Sequence, residues 1–242
     1  MSFLERVDQS IRRSPVWRSI FRQPYPNDER SRAYAVMNNV FLHLHPVRVR
    51  QHAVKFAYTF CLGGLSFFLF LVLTVTGVYL MFFYVPSATL AYTNILDIQS
   101  QVTFGLLTRN IHRWGAHLMV FFVFLHMMRV FYHGAYKPPR EFNWVVGVIL
   151  LLLTLLLSFT GYLLPWDQLA IWAVAVGTSM MGYTPVLGDQ VRFVLLGSVE
   201  IGPSTLIRWY VLHVLALPFV ATIFLAVHFW RIRKDGGISG PL

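Results

Sequence analysis

Apolar residues come in four long runs separated by polar connections. The runs cover about residues 56–84, 110–133, 143–164 and 206–230. Each reaches or exceeds about 20 residues, enough for a helix to cross a bilayer. Pro165 follows the third run and is placed to end it. Pro218 lies inside the fourth, where a missing backbone N–H can kink a helix. Two shorter patterns differ in kind. Phe3, Leu4, Val7 and Ile11, then Val16, Trp17, Ile20 and Phe21, recur at helical spacing among arginines. That pattern predicts an amphipathic helix lying in the membrane interface, interrupted at Pro15. Residues 169–181 are apolar but too short to span, and predict one or two short surface helices. No internal repeat of solenoid type is present. The pattern divides the chain into an N-terminal basic interfacial segment, 1–51, and a four-span unit, 52–242.

Composition agrees. The 242 residues are 56% hydrophobic, 16% aromatic and 12% charged, against about 25% charged in a soluble domain. Mean hydropathy is +0.58. An ordinary soluble enzyme, a disordered chain and a collagen-like fibre are excluded. The net charge of +10 suggests nucleic acid in a soluble protein. In a membrane protein it reflects lysine and arginine held in cytoplasmic segments near anionic lipid, so no nucleic-acid partner is expected.

The basic residues also orient the spans. Ten precede Phe56, and Arg129, Lys137, Arg140, Arg231, Arg233 and Lys234 fall on the same side. Only Arg109, Arg113, Arg192 and Arg208 lie opposite. Both termini are therefore expected on the cytoplasmic (n) side, with connections 87–108 and 165–205 on the opposite (p) side. The first apolar run starts too late for a secretory signal, so no cleaved leader is expected. A single cysteine, Cys61, excludes an intrachain disulfide framework and a tetracysteine metal site.

Nine histidines occur. His43, His45 and His52 sit in the basic N-terminal segment and need no special role. Ionisable groups at membrane depth are costly and often functional. His112 and His126 lie 14 residues apart on the second span, and His213 and His228 lie 15 apart on the fourth. At about 100° and 1.5 Å per residue, each pair returns to roughly one face about 21–22 Å along the helix. The two spans run in the same direction, so His112 shares a depth with His213 and His126 with His228. Facing imidazoles at each depth suit the iron of a haem inside the bundle. The competing explanation is four separate buried histidines hydrogen-bonded to neighbouring helices. His117 has no partner at its depth and is assigned no ligand role.

A porphyrin needs room. Gly63 and Gly77 on the first span, and Gly147 and Gly161 on the third, repeat the 14-residue period. A missing Cβ lets backbone approach a flat ring. Arg109 lies three residues before His112 and Arg129 three after His126, one turn beyond each candidate ligand and suited to haem propionates.

The stretches Cys61-Leu-Gly-Gly64, Arg109-Asn-Ile-His-Arg-Trp-Gly115, His126-Met-Met-Arg129, Lys137-Pro-Pro-Arg-Glu141, Gly161-Tyr-Leu-Leu-Pro-Trp-Asp167 and Arg233-Lys-Asp-Gly-Gly-Ile-Ser-Gly-Pro-Leu242 resemble the N-terminal half of split-type cytochrome b. This is the cytochrome b6-like subunit of b6f complexes and of bacterial menaquinol–cytochrome c reductases. The resemblance covers roughly residues 52–242. The 15-residue His213–His228 spacing and the Gly-Pro-Leu end match the split type, since the fused type has 14. The N-terminal segment is longer than the resemblance implies. The fold expected is all-α: a four-helix transmembrane bundle binding haem, preceded by the interfacial helix.

The resemblance implies two b-type haems, on His112 and His213 toward the p side (low potential) and on His126 and His228 toward the n side (high potential). It implies quinol oxidation in a p-side pocket near Tyr162 and Trp166. One electron goes to a Rieske iron–sulfur protein and the other through the two haems to an n-side quinone. Protons are released on the p side and taken up on the n side. The pocket also needs a Pro-Glu-Trp-Tyr-like motif, absent from this sequence, which belongs to a companion subunit in split systems. A c-type cytochrome subunit and a homodimeric complex are implied too. The location implied is the bacterial inner membrane, or a thylakoid.

Cys61 falls about six residues inside the first run, roughly 9 Å along the axis, level with His126 and His228. Gly63 and Gly64 leave space beside it, and Arg233 is placed to meet a propionate. No Cys-x-x-Cys-His occurs, which excludes an ordinary two-thioether haem. The resemblance implies instead a third haem, of c type, held by a single thioether to Cys61 and without a strong second protein ligand. Two other functions share parts of this pattern. A dihaem membrane anchor relays electrons between quinone and a dehydrogenase without bifurcation; the Leu-Pro-Trp-Asp connection and Cys61 argue against it. A transporter with histidine proton relays would carry no redox-active b-type spectrum.

Overall fold

A computed structural model describes residues 3–20, 27–39 and 49–240. Phe21, His43, His45 and the terminal Pro241 and Leu242 lie outside these described residues. The described chain is helical, with no strand.

The N-terminal segment forms α1 (Phe3–Arg13) and α2 (Pro15–Ile20), parted at Ser14 as the proline predicts. A further helix not foreseen from the pattern, α3 (Glu29–Asn38), starts at Asp28. That side chain accepts a 2.7 Å bond from the Ser31 N–H, and the Ser31 hydroxyl reaches back to the Asp28 backbone. This reciprocal cap satisfies donors that a helix start otherwise leaves open.

Four helices are long and apolar enough to cross a membrane. Helix α5 is Leu62–Met81, α7 is Gly105–Tyr132 and α8 is Glu141–Leu163. The fourth is composite: α11 (Pro203–Val211), a π turn (Leu212–Ala216) and α12 (Leu217–Asp235). Helix α5 packs along α7, α8 packs along the fourth helix, and α7 touches α8.

The first span begins later than the apolar run does. A one-turn helix, α4 (Phe56–Thr59), is followed by Phe60 and Cys61, both in the left-handed region at φ 50° and 52°. Two such residues break helix geometry. Cys61 is thus the residue capping the start of α5, not one six residues inside the span. Phe104, at φ 57°, marks the start of α7 in the same way. Helix α7 consequently starts five residues ahead of the expected Asn110.

The connection after α5 contains α6 (Ala91–Ser100), and the connection after α8 contains α9 (Gln168–Gly182) and α10 (Gly188–Leu196). Helix α9 is the short helix expected around 169–181, as a single element; α10 lies beyond that stretch and was not foreseen from the pattern. Asp167 caps α9 by accepting from the Ala170 N–H at 2.8 Å. These short helices close one end of the bundle over a compact core of Tyr84, Ile98, Leu163, Trp166, Leu206 and Trp209. The Tyr84 hydroxyl donates to the Leu164 carbonyl at 2.6 Å, tying the exit of α5 to the exit of α8. The opposite end carries α4, the α7–α8 turn and the end of α12.

Candidate cofactor site

The bundle interior is a cavity of about 320 Å³ lined by all four spans, mostly by apolar side chains. His112, His126, His213 and His228 are half-buried because they point into it. They meet in two tiers. In the tier nearer the short helices, the His112 and His213 rings are centred 6.3 Å apart at 74°. In the other, His126 and His228 are 6.3 Å apart at 82°. Two metal–nitrogen bonds of about 2 Å each, plus the two ring radii, come to roughly 6 Å. Both tiers therefore have room for one metal ion between the rings. No group of three or more metal-ligating side chains occurs among the described residues; each tier brings two imidazoles together.

The glycines stand directly behind the imidazoles. A Cβ on Gly63 would lie 3.2 Å from His126 Cε1, and one on Gly77 3.2 Å from His112 Cε1. On Gly161 it would come within 2.6 Å of His213 Cε1, and on Gly147 within 3.9 Å of His228 Cε1 and 3.6 Å of Met127 Sδ. Each of the four spaced glycines thus stands against one of the four histidines, where a missing Cβ allows the close approach.

The second and fourth spans face each other over different lengths of sequence, 14 residues against 15. The π turn reconciles them. Within it the Leu217 N–H bonds to Leu212 O, five residues back. A π turn takes up one extra residue without rotating the flanking helices. His213 lies in that turn, so the fifteenth residue is absorbed before α12 begins. Pro218 is the second residue of α12, and the break in regular α-helix lies immediately before it.

Polar contacts distinguish the tiers. Thr76 Oγ1 lies 2.9 Å from His112 Nδ1, and Thr160 Oγ1 3.0 Å from His213 Nδ1. In the other tier His228 Nδ1 is buried with no partner. The two threonines and the π turn were not singled out from the sequence. The dipeptides Thr76-Gly77 and Thr160-Gly161 were the available signal, against Leu62-Gly63 and Val146-Gly147.

The arginines take protein partners. Arg109 Nη1 donates to Gln99 Oε1 at 3.1 Å, from α7 to α6. Arg129 Nε donates to the Tyr58 carbonyl at 3.0 Å, and its guanidinium lies 5.1 Å from the centre of the Phe60 ring. Arg233 is half-buried in the last turn of α12. Cys61 is exposed, two residues from Gly63, with its backbone N–H donating to Thr59 Oγ1 at 3.3 Å. Tyr162 is exposed, whereas Trp166 is buried in the terminal core with φ 52°. His117 is exposed and packs edge-on against Trp114 at 5.6 Å, away from the cavity lining.

Comparison with known proteins agrees with this geometry. The Cytochrome b/b6/petB family matches residues 48–236. A cytochrome b6 of Heliomicrobium gestii is 47% identical over 183 residues, covering 76% of this chain and 85% of that protein. The menaquinol:cytochrome c reductase cytochrome b subunit of Bacillus subtilis (strain 168) is 40% identical over 237 residues, covering 98% and 96%. Among solved structures, a hyperthermophilic respiratory complex III superposes with a TM-score of 0.68 at 30% identity, over 73% of this chain and 47% of that one. This chain therefore spans about half of that complex III chain. Family membership implies b-type haem, the group that the paired histidines and glycine seats fit. With its matched residues and its four apolar helices, this chain belongs to the cytochrome b/b6 family.

Proposed function

We propose that the chain is the b-type electron-transfer subunit of a quinol–cytochrome c or plastocyanin-type reductase. It would carry electrons from quinol oxidised on the p side to a quinone on the n side, with proton translocation. The observation that carries this reading is the pair of histidine tiers, each with ring centres 6.3 Å apart, in one apolar cavity. When bound, two haems supply one-electron relay stations at two membrane depths.

The chain's own residues do the rest. His112 and His213 hold the p-side iron, and His126 and His228 the n-side iron. Gly63, Gly77, Gly147 and Gly161 let the rings in. The apolar lining excludes water, which keeps electrons from leaking to solvent species. Arg109, held by Gln99, and Arg129, held by Tyr58 O, stand one turn beyond their tiers, where a guanidinium suits a propionate. Arg233 is assigned the same role at the n-side surface. Cys61 is exposed and close to the His126 tier through Gly63, which suits a thioether to a c-type haem. Tyr162 and Trp166 border the p-side quinol pocket, which a companion subunit carrying a Pro-Glu-Trp-Tyr-like motif completes. A Rieske protein, a c-type cytochrome subunit and a second copy of the complex complete the assembly. Both termini and the 1–51 segment lie on the n side of the bacterial inner membrane, with α1 and α2 at the interface. The names of the two relatives, a cytochrome b6 and a menaquinol:cytochrome c reductase subunit, support the same assignment.

The test uses the whole complex purified from membranes. A redox titration should resolve two b-type haems per chain. Adding an oxidant for the c-type acceptor in the presence of menaquinol should then increase b-haem reduction, because each quinol divides its electrons between two branches. A dihaem anchor has one branch, and the same oxidant would drain it. A decrease in b-haem reduction would reject the proposal.

A further inference from the structure

The two tiers share their ligand type, ring separation and glycine seats, yet differ in what stands behind the imidazoles. In the p-side tier both Nδ1 atoms meet a threonine hydroxyl. Each of those hydroxyls also has a backbone carbonyl within donating distance. Thr76 donates to Val72 O at 2.7 Å, and Thr160 donates to Leu157 O at 3.1 Å. A hydroxyl whose proton is engaged can only accept from the imidazole. The proton of His112 and of His213 is thereby held on Nδ1, and Nε2 is left as the free lone pair. In the n-side tier, Leu62 and Val146 occupy the positions before the seating glycines. Neither carries a hydroxyl, and His228 Nδ1 has no partner.

We infer that Thr76 and Thr160 are positioning residues that fix the tautomer of His112 and His213 and lower the reduction potential of the haem those histidines hold. The inference rests on the ligation proposed above. An acceptor behind Nδ1–H makes Nε2 a stronger donor, which favours the more highly charged, oxidised metal. The n-side tier lacks this acceptor and is the more easily reduced of the two. A downhill step from p side to n side is therefore written into two Thr-Gly pairs set against a Leu-Gly and a Val-Gly.

The experiment is a redox titration of the complete complex, followed optically and by electron paramagnetic resonance, for wild type and single variants. Thr76→Val and Thr160→Val keep side-chain shape and remove the acceptor. Each should raise the midpoint of one b haem, the lower-potential one, by the equivalent of about a tenfold change in its reduction equilibrium, about 59 mV for one electron. The other haem should not move. Thr76→Ser and Thr160→Ser should restore the wild-type value. Conversely, Val146→Thr puts a hydroxyl before Gly147 and should lower the higher-potential haem alone. If the valine variants lose the p-side haem, Val146→Thr and the serine variants decide the question. Two bound b haems with unmoved midpoints in Thr→Val and in Val146→Thr, or equal shifts in both haems, overturn the inference. A wild-type complex without two b haems would instead overturn the ligation reading.

Discussion

Gly161 and His213 approach so closely that a Cβ on the glycine would lie 2.6 Å from Cε1 of the imidazole. At Gly147 the corresponding distance, to His228 Cε1, is 3.9 Å, an ordinary contact. The four glycines share one period but not one tolerance. Gly161→Ala has to displace the His213 ring, because no flexible end of a side chain can yield there. The haem content of the purified complex, measured as the pyridine haemochrome, is expected to fall from two b haems per chain toward one. Gly147→Ala is expected to keep both. Equal haem content in the two variants would count against these glycines acting as seats.

The π turn supports a second prediction. Deleting Leu215, an exposed residue in the turn, together with Pro218→Leu, should convert the turn to regular α-helix. The spacing then becomes that of the second span, both histidine tiers stay aligned, and two b haems remain. The proline must go because its ring clashes with the carbonyl four residues back in a regular helix. Inserting an alanine after Thr222 does the opposite, rotating His228 by about 100° relative to His213. That variant should lose the n-side haem. Optical spectra of the reduced complexes distinguish the outcomes.

These features also show where the sequence was legible. Apolar run length identified four spans, and the spacings of His112–His126 and His213–His228 placed four rings in two tiers. Both signals are periodic and span whole helices, so they survive local irregularity. The irregularities carry no composition signal. Phe60, Cys61 and Phe104 adopt left-handed backbone although none is glycine or asparagine, so the starts of α5 and α7 were misplaced. Helix α6 mixes Asn94, Asp97 and Gln99 with Ala91 and Ile98. The last two, seven residues apart, bury one face in the terminal core, while the polar residues gave the stretch the look of a loop. Trp166 packs into that same core. The threonines behind His112 and His213 depend on pairing between helices, which a single helix pattern does not display.

A third prediction concerns the end of α12. Arg231 Nη2 and Asp235 Oδ2 are 2.8 Å apart, with side chains only 16% and 7% exposed. The Arg231 guanidinium also lies 5.2 Å from the centre of the Phe142 ring. Removing one member of a buried pair leaves the other charge without compensation, at a cost of about 3 kcal/mol. Asp235→Ala should therefore lower the thermal stability of the complex, followed as loss of b-haem absorbance on heating. The double variant Arg231→Met with Asp235→Leu should melt closer to wild type, since apolar side chains of similar volume replace the pair. If the single variant melts no lower than the double, the pair contributes nothing to holding this end of the bundle.

The last prediction concerns Cys61. A lone membrane cysteine is usually a small buried apolar residue, and this one is exposed. It sits at the bend where Phe60 and Cys61 turn left-handed ahead of α5, and Arg129 holds that bend by donating to the Tyr58 carbonyl and lying over the Phe60 ring. Two residues on, Gly63 backs onto the His126 ring. The thiol is therefore fixed near the His126 tier but outside the residues that line the bundle cavity, where a second macrocycle would not compete with one inside it. With one cysteine in the chain, a single thioether is the only covalent link available. The expected result is a band at this chain's mass that stains for haem peroxidase activity on a denaturing gel, because thioethers survive denaturation and coordinate bonds to histidine do not. Cys61→Ser should abolish the band while leaving two b haems in the native complex. Arg129→Leu frees the bend and should weaken the band without removing it. Freshly purified wild-type complex with no covalent haem on this chain would refute the assignment.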